Sequence, residues 1–148
     1  MRIGTKGIEL IQKYEGFRNN AYLDVKGIPT IGWGNTYYQD NTNVRLGDSI
    51  TRKQGDEMFL LILKRYEDEV NKYVTSKINQ SQFDALVSFT YNCGWGALKS
   101  STLLKKVNKD PCEPSILEEF QKWNKSGGKV YKGLKRRRNE EAYLYFSE

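Results

Sequence analysis

The chain has 148 residues, 38% hydrophobic and 28% charged, which fits one compact domain or two small lobes sharing a core. It contains no histidine, so His-ligated metal sites, Ser-His triads and Cys-His dyads are excluded, and its two cysteines, Cys93 and Cys112, do not make a disulfide framework. A net charge of +6 favours anionic partners, among them nucleic acid, acidic lipid and bacterial envelope polymers, without choosing between them.

No apolar signal segment follows Met1, and no run approaches the ~18 apolar residues of a membrane span. The expectation is a protein that accumulates in the cytoplasm of the cell making it. Thr5 can cap a first helix, with Ile8, Leu10, Ile11 and Tyr14 on it and Gly16 ending it. Glu15 then falls in the last turn, at the negative end of the helix, where a carboxylate holds its proton slightly better, by about 0.3–1 kcal/mol.

Residues 21–36 read as a β-hairpin around Asp24-Val25-Lys26-Gly27. Pairing Asp24 with Thr30 and Tyr22 with Gly32 puts all four on one face, because strand side chains alternate. Carboxylate and hydroxyl would then hold one water, and Gly32 and Gly34 would leave the face bare for a ligand. Two carboxylates in unlike settings, Glu15 and Asp24, are what acid-catalysed glycoside hydrolysis needs.

A polar stretch, 37–50, leads to Thr51 and Gln54, a capping-box pair. A long helix follows to about Tyr73, with Met58, Leu61, Ile62, Val70 and Val74 apolar, and could join two lobes. Residues 79–92 form a strongly apolar helix ending at Gly94, the expected centre of the core. Short helices are expected over 101–108 and 115–123, a flexible loop at Gly127-Gly128, and a last helix over 133–146. The basic run 135–139 reads as a solvated helix face or, alternatively, a nucleic-acid patch. The reading is α+β: a small N-terminal lobe with a short antiparallel sheet and a larger helical C-terminal lobe.

Three segments in order carry a resemblance over nearly the whole chain: YEGFR…AYLDVKGIPTIGWGNT, QFDALVSFTYNCGWGALKSSTLLKKVN and FQKWNKSGGKVYKGLKRRRNEEAYLYF. The chain resembles the phage-type lysozymes, the endolysin group, and within it the P22-like branch. The resemblance implies one lysozyme domain over 1–148. Its lobes would be 14–50, and 1–13 with 75–148, joined by helix 51–74, with an active-site cleft between them. It implies cleavage of the β-1,4 bond between N-acetylmuramic acid and N-acetylglucosamine in peptidoglycan, leading to lysis. Glu15 would be the general acid, Asp24 would stabilise positive charge and help activate water, and Thr30 would position that water, inverting the anomeric centre. Tyr91, Asn92, Ser100 and Ser101 match positions near the cleft, as substrate contacts or as core and capping residues. One cation of the run 135–138 would face the cleft. No cofactor, metal, nucleic acid or stable membrane association is implied. The protein would be a monomer that leaves the host cytoplasm to act on the cell wall. Asn35 stands where many relatives carry a structural His, a departure bearing on stability more than on chemistry. The alternative is a non-catalytic peptidoglycan-binding module of the same fold.

Overall fold

The computed structural model describes residues 1–147. The chain divides into two compact units, Gln12–Arg65, and Met1–Ile11 with Tyr66–Glu148. The divisions fall inside helices α1 (Thr5–Glu15) and α2 (Arg52–Tyr73). Helix α1 includes Thr5 as its first residue instead of being capped by it, a one-residue difference at a helix end. Helix α2 starts as expected: Thr51 Oγ1 accepts from Gln54 N–H at 3.1 Å, and Gln54 Oε1 accepts from Thr51 N–H at 2.9 Å.

In the unit Gln12–Arg65, strands β1 (Arg18–Leu23) and β2 (Pro29–Gly32) pair antiparallel. The register is Tyr22 with Thr30 and Leu23 with Pro29, two residues tighter than the sequence suggested. The turn explains the difference. Asp24 Oδ1 accepts from the N–H of Lys26 at 2.8 Å and of Ile28 at 2.9 Å. Asp24 O accepts from Gly27 N–H at 2.9 Å, and Gly27 has φ +78°. Asp24 N–H then closes onto Ile28 O at 3.0 Å, leaving a three-residue loop. A slip of two preserves which face each strand side chain occupies, so Tyr22 and Thr30 share a face, with Asp24 just beyond the end of β1. Ile31, Trp33, Val44, Met58, Phe59, Ile62 and Leu63 form the buried core of this unit, and Leu61 is exposed. The polar stretch before α2 is pinned by the Asn20–Ser49 and Tyr37–Asn43 bridges and by Tyr38 Oη, which donates to Asp48 Oδ2 at 2.7 Å.

The other unit is built on α3 (Gln80–Cys93), with every residue from Gln82 to Tyr91 buried. Asn79 and Gln82 form a second capping box at its start, and Gly94 (φ +91°) ends it. Then come α4 (Trp95–Ser100), which the sequence reading missed, α5 (Thr102–Lys109) and α6 (Ile116–Gln121). The expected loop at Gly127-Gly128 is instead a tight turn with positive φ at both glycines, joining β3 (Lys125–Ser126) to β4 (Lys129–Val130). Helix α7 (Lys132–Tyr145) packs on α3 and α6. Phe89 meets Phe120 and Trp123 edge-on, at 5.9 and 5.4 Å between centroids. Burying such a ring contributes about 1.5–3 kcal/mol.

Only the first half of the basic run is a solvated face. Lys135 and Arg136 are exposed, but Arg137 and Arg138 are buried. Arg138 Nε lies 2.7 Å and Arg137 Nε 3.4 Å from the carboxylate of Glu141, to which Ser88 Oγ donates at 2.6 Å. Arg138 also donates to Asn92 Oδ1 at 2.9 Å and Cys93 Sγ at 2.6 Å. Burial raises the Cys93 thiol pKa despite that guanidinium, and both cysteines are free. Among the described residues no helix is long and apolar enough to cross a membrane.

Candidate active site

Glu15 is the last residue of α1. Gly16, with φ +65°, follows it and donates to Gln12 O at 3.0 Å, so the helix stops there. Twenty residues on, β2 runs into a tight reversal. Ile31 and Asn35 exchange backbone hydrogen bonds of 2.8 and 2.9 Å around Gly32 and Gly34, whose φ angles are +63° and +76°. A methyl group built on Gly34 would overlap Glu15 Oε1 and lie 2.7 Å from its Cδ. The Glu15 carboxyl therefore rests on the Gly34 backbone, in space that only a glycine leaves open. This corrects the expectation that the two glycines keep a face bare. Gly34 is covered by Glu15, and Gly32 is buried, its missing Cβ facing Met58 Cε at 3.2 Å and Ile50 Cδ1 at 3.3 Å. Asn35 is buried in the same reversal.

Asp24 stands at the hairpin turn of this unit. Its two turn bonds both use Oδ1. Thr30, buried, donates its hydroxyl proton to Ile28 O at 2.8 Å, so toward any further partner Oγ1 acts as an acceptor. Tyr22, paired with Thr30, reports on both acids. Its phenol pKa is raised, first by burial, then by the charge of Glu15 and, more weakly, of Asp24, against a lowering by Arg18. Both carboxylates thus lie within Coulombic reach of one ring.

The other residues singled out in the sequence belong to the second unit. Tyr91 is buried with its ring 5.0 Å from that of Tyr66, which lies 5.1 Å from Trp95. Asn92 is exposed and accepts from Arg138. Ser100 is exposed, with its hydroxyl turned back to Gly96 O at 3.1 Å. Ser101 is the buried N-cap of α5, accepting from Leu104 N–H at 3.0 Å and donating to Leu98 O at 2.7 Å.

The residues around Trp33 do not stand out in the sequence. Its indole N–H donates to Asp56 Oδ1 at 2.9 Å, and Phe17 and Arg52 lie against the ring. The only signal was a Trp between two glycines and an acid four residues after a base at the start of α2.

The endolysin of Bacillus phage B103 is 42% identical over 99% of this chain, and the chain spans 55% of that longer protein, about half its length. The endolysin of Salmonella phage P22 is 37% identical over 96% of this chain and 97% of its own length. The solved endolysin from Escherichia coli O157:H7 phage FAHEc1 matches with a TM-score of 0.89 at 37% identity, covering 99% of this chain and 94% of that one. Residues 12–141 match the model of the Phage lysozyme family, and the chain belongs to that family.

Proposed function

We propose that this chain is an endolysin, a muramidase that cleaves the β-1,4 bond between N-acetylmuramic acid and N-acetylglucosamine in peptidoglycan. In this reading Glu15 protonates the leaving glycosidic oxygen. Asp24 takes a proton from the attacking water, and Thr30 holds that water in place. Because Thr30 has committed its own proton to Ile28 O, a water there donates one hydrogen to Thr30 and the other to Asp24. Its lone pair is then left to attack the sugar on the face opposite the leaving group, which inverts the anomeric centre.

The observation that carries the proposal is the seat of Glu15 on Gly34, in the same unit as the Asp24–Thr30 hairpin, with Tyr22 feeling both carboxylates. The basic net charge suits an anionic wall polymer.

Digesting purified cell wall and examining the fragments tests it. Mass spectrometry is expected to find muramic acid at new reducing ends, and NMR the α-anomer first. Anhydro ends would make the protein a transglycosylase, a first-formed β-anomer would mean retention, and no fragments at all would leave a binding module.

A further inference from the structure

The two sides of the Glu15–Gly34 contact are each followed or preceded by an aromatic ring: Phe17 comes two residues after Glu15, and Trp33 directly precedes Gly34. The rings lie 5.3 Å apart, and both rest on the first turns of α2. A methyl group on Gly55 would overlap the edge of Phe17, reaching 3.0 Å from its Cζ, so Phe17 sits directly on the helix backbone. Trp33 is fixed by its hydrogen bond to Asp56 Oδ1. Arg52 Nε donates to the same oxygen at 3.1 Å, and its guanidinium lies 4.9 Å from the Phe17 centroid and 4.7 Å from that of Trp33. Arg52, Gly55 and Asp56 share one helix face by their spacing of three and four.

We propose that the Arg52–Asp56 pair is a positioning device for Glu15: by holding Phe17 and Trp33 together on α2, it fixes the carboxyl on Gly34. The proposal rests on reading Glu15 as the general acid. As an ordinary ion pair it would matter little, because the side chains of Arg52 and Asp56 are 61% and 49% exposed. Its value lies in geometry. A displacement of about 1 Å at a reacting group costs roughly a hundredfold in rate, so a partial loosening is expected to cost about a tenth of that. A merely structural role would appear as lost stability, whereas a positioning role appears as lost turnover at constant substrate affinity.

The test compares Asp56→Leu, Asp56→Asn and Arg52→Met on soluble glycan fragments, with thermal melts and indole N–H spectra. Asp56→Leu is expected to lower kcat about tenfold with KM within about twofold, and to shift the Trp33 indole proton. Asp56→Asn keeps an oxygen for that proton and is expected to stay within about threefold of wild type. Arg52→Met, a change at an exposed side chain, is expected to lower kcat about threefold with an unchanged melt. Wild-type kcat in folded Asp56→Leu, or equal loss in the Asn and Leu variants, overturns the positioning role. If Asp56→Leu does not fold, wild-type kcat in Arg52→Met overturns it instead. A normal Asp56→Leu beside an inactive Glu15→Gln rejects the device and leaves the acid standing, whereas an active Glu15→Gln removes the acid assignment and the device together.

Discussion

The carboxyl of Glu15 occupies the place where a side chain on Gly34 would begin. Position 34 therefore has two reasons to be glycine, a φ of +76° and the carboxyl against it, whereas Gly16, at φ +65°, has open space around its missing Cβ. Both Gly16→Ala and Gly34→Ala carry the left-handed backbone cost, about 1–2 kcal/mol. Only Gly34→Ala also pushes Glu15 aside. The expected outcome is a similar or slightly larger loss of melting temperature for Gly34→Ala. Its turnover is expected to fall by at least about tenfold, against an effect within about threefold for Gly16→Ala. Equal turnover in the two variants would mean that the contact has no part in the chemistry.

Asp24 serves the turn and, in the proposed mechanism, the water. Its turn bonds need only an oxygen acceptor, which Asn retains, while taking a proton from water needs the carboxylate. Asp24→Asn is thus expected to melt within about 3 °C of wild type, as a change below ~1 kcal/mol implies at this size. Its turnover is expected to fall about 10²-fold or more. Asp24→Ala loses both turn bonds and is expected to melt lower than Asp24→Asn. Circular dichroism melts paired with a turbidity assay check both; full turnover in Asp24→Asn would remove Asp24 from the mechanism.

Features set by neighbours in sequence were the legible ones. The capping residues Thr51 and Gln54 act over three residues, and the helix start they signal is where the structure has it. The Tyr22–Thr30 register was misread by two because the Asp24 side chain closes the loop sooner than strand alternation suggests, and alternation alone cannot distinguish shifts of two. The burial of Arg137 and Arg138 was not legible. Their carboxylate, Glu141, is near in sequence, but Ser88, which donates to it, and Asn92 and Cys93, which accept from Arg138, lie about 50 residues away on α3. The Glu15–Gly34 contact is equally non-local, so Gly34 read as open space.

The Tyr38–Asp48 hydrogen bond predicts a change of stability at alkaline pH. Burial, then the hydrogen bond and charge of Asp48, raise the Tyr38 phenol from 10.0 to about 12. The same bond, followed by the Arg45 N–H, lowers the Asp48 carboxyl. A phenol raised in the folded state contributes stability that is complete below pH 10 and is lost as pH climbs toward 12. The lowered Asp48 works on the other side, contributing above its unfolded pKa and fading as pH falls through the folded value. Wild type is therefore expected to exceed Tyr38→Phe in stability near neutral pH, the gap narrowing between pH 10 and 12. Urea unfolding at pH 7, 10 and 11.5 measures it (values bracketing the ordinary tyrosine pKa of about 10); a gap that stays constant would contradict the assignment.

Glu141 and Arg138 are both fully buried, so removing one strands the other. Glu141→Ala is expected to cost about 3–5 kcal/mol, a large part of the ~5–15 kcal/mol that domains possess. Lys135→Ala and Arg136→Ala, at exposed positions of the same run, are expected to stay within about 0.5 kcal/mol. Denaturant midpoints decide: a Glu141→Ala loss no larger than the exposed pair's would contradict the buried network.

The rate at which Glu15→Gln clears a cell-wall suspension, beside wild type, decides whether Glu15 is the general acid. Gln fits the same space against Gly34 but cannot supply a proton to the glycosidic oxygen. The variant is expected to fold with a wild-type melt and to turn over more slowly by about 10²–10⁴. Clearance within a few-fold of wild type would contradict it.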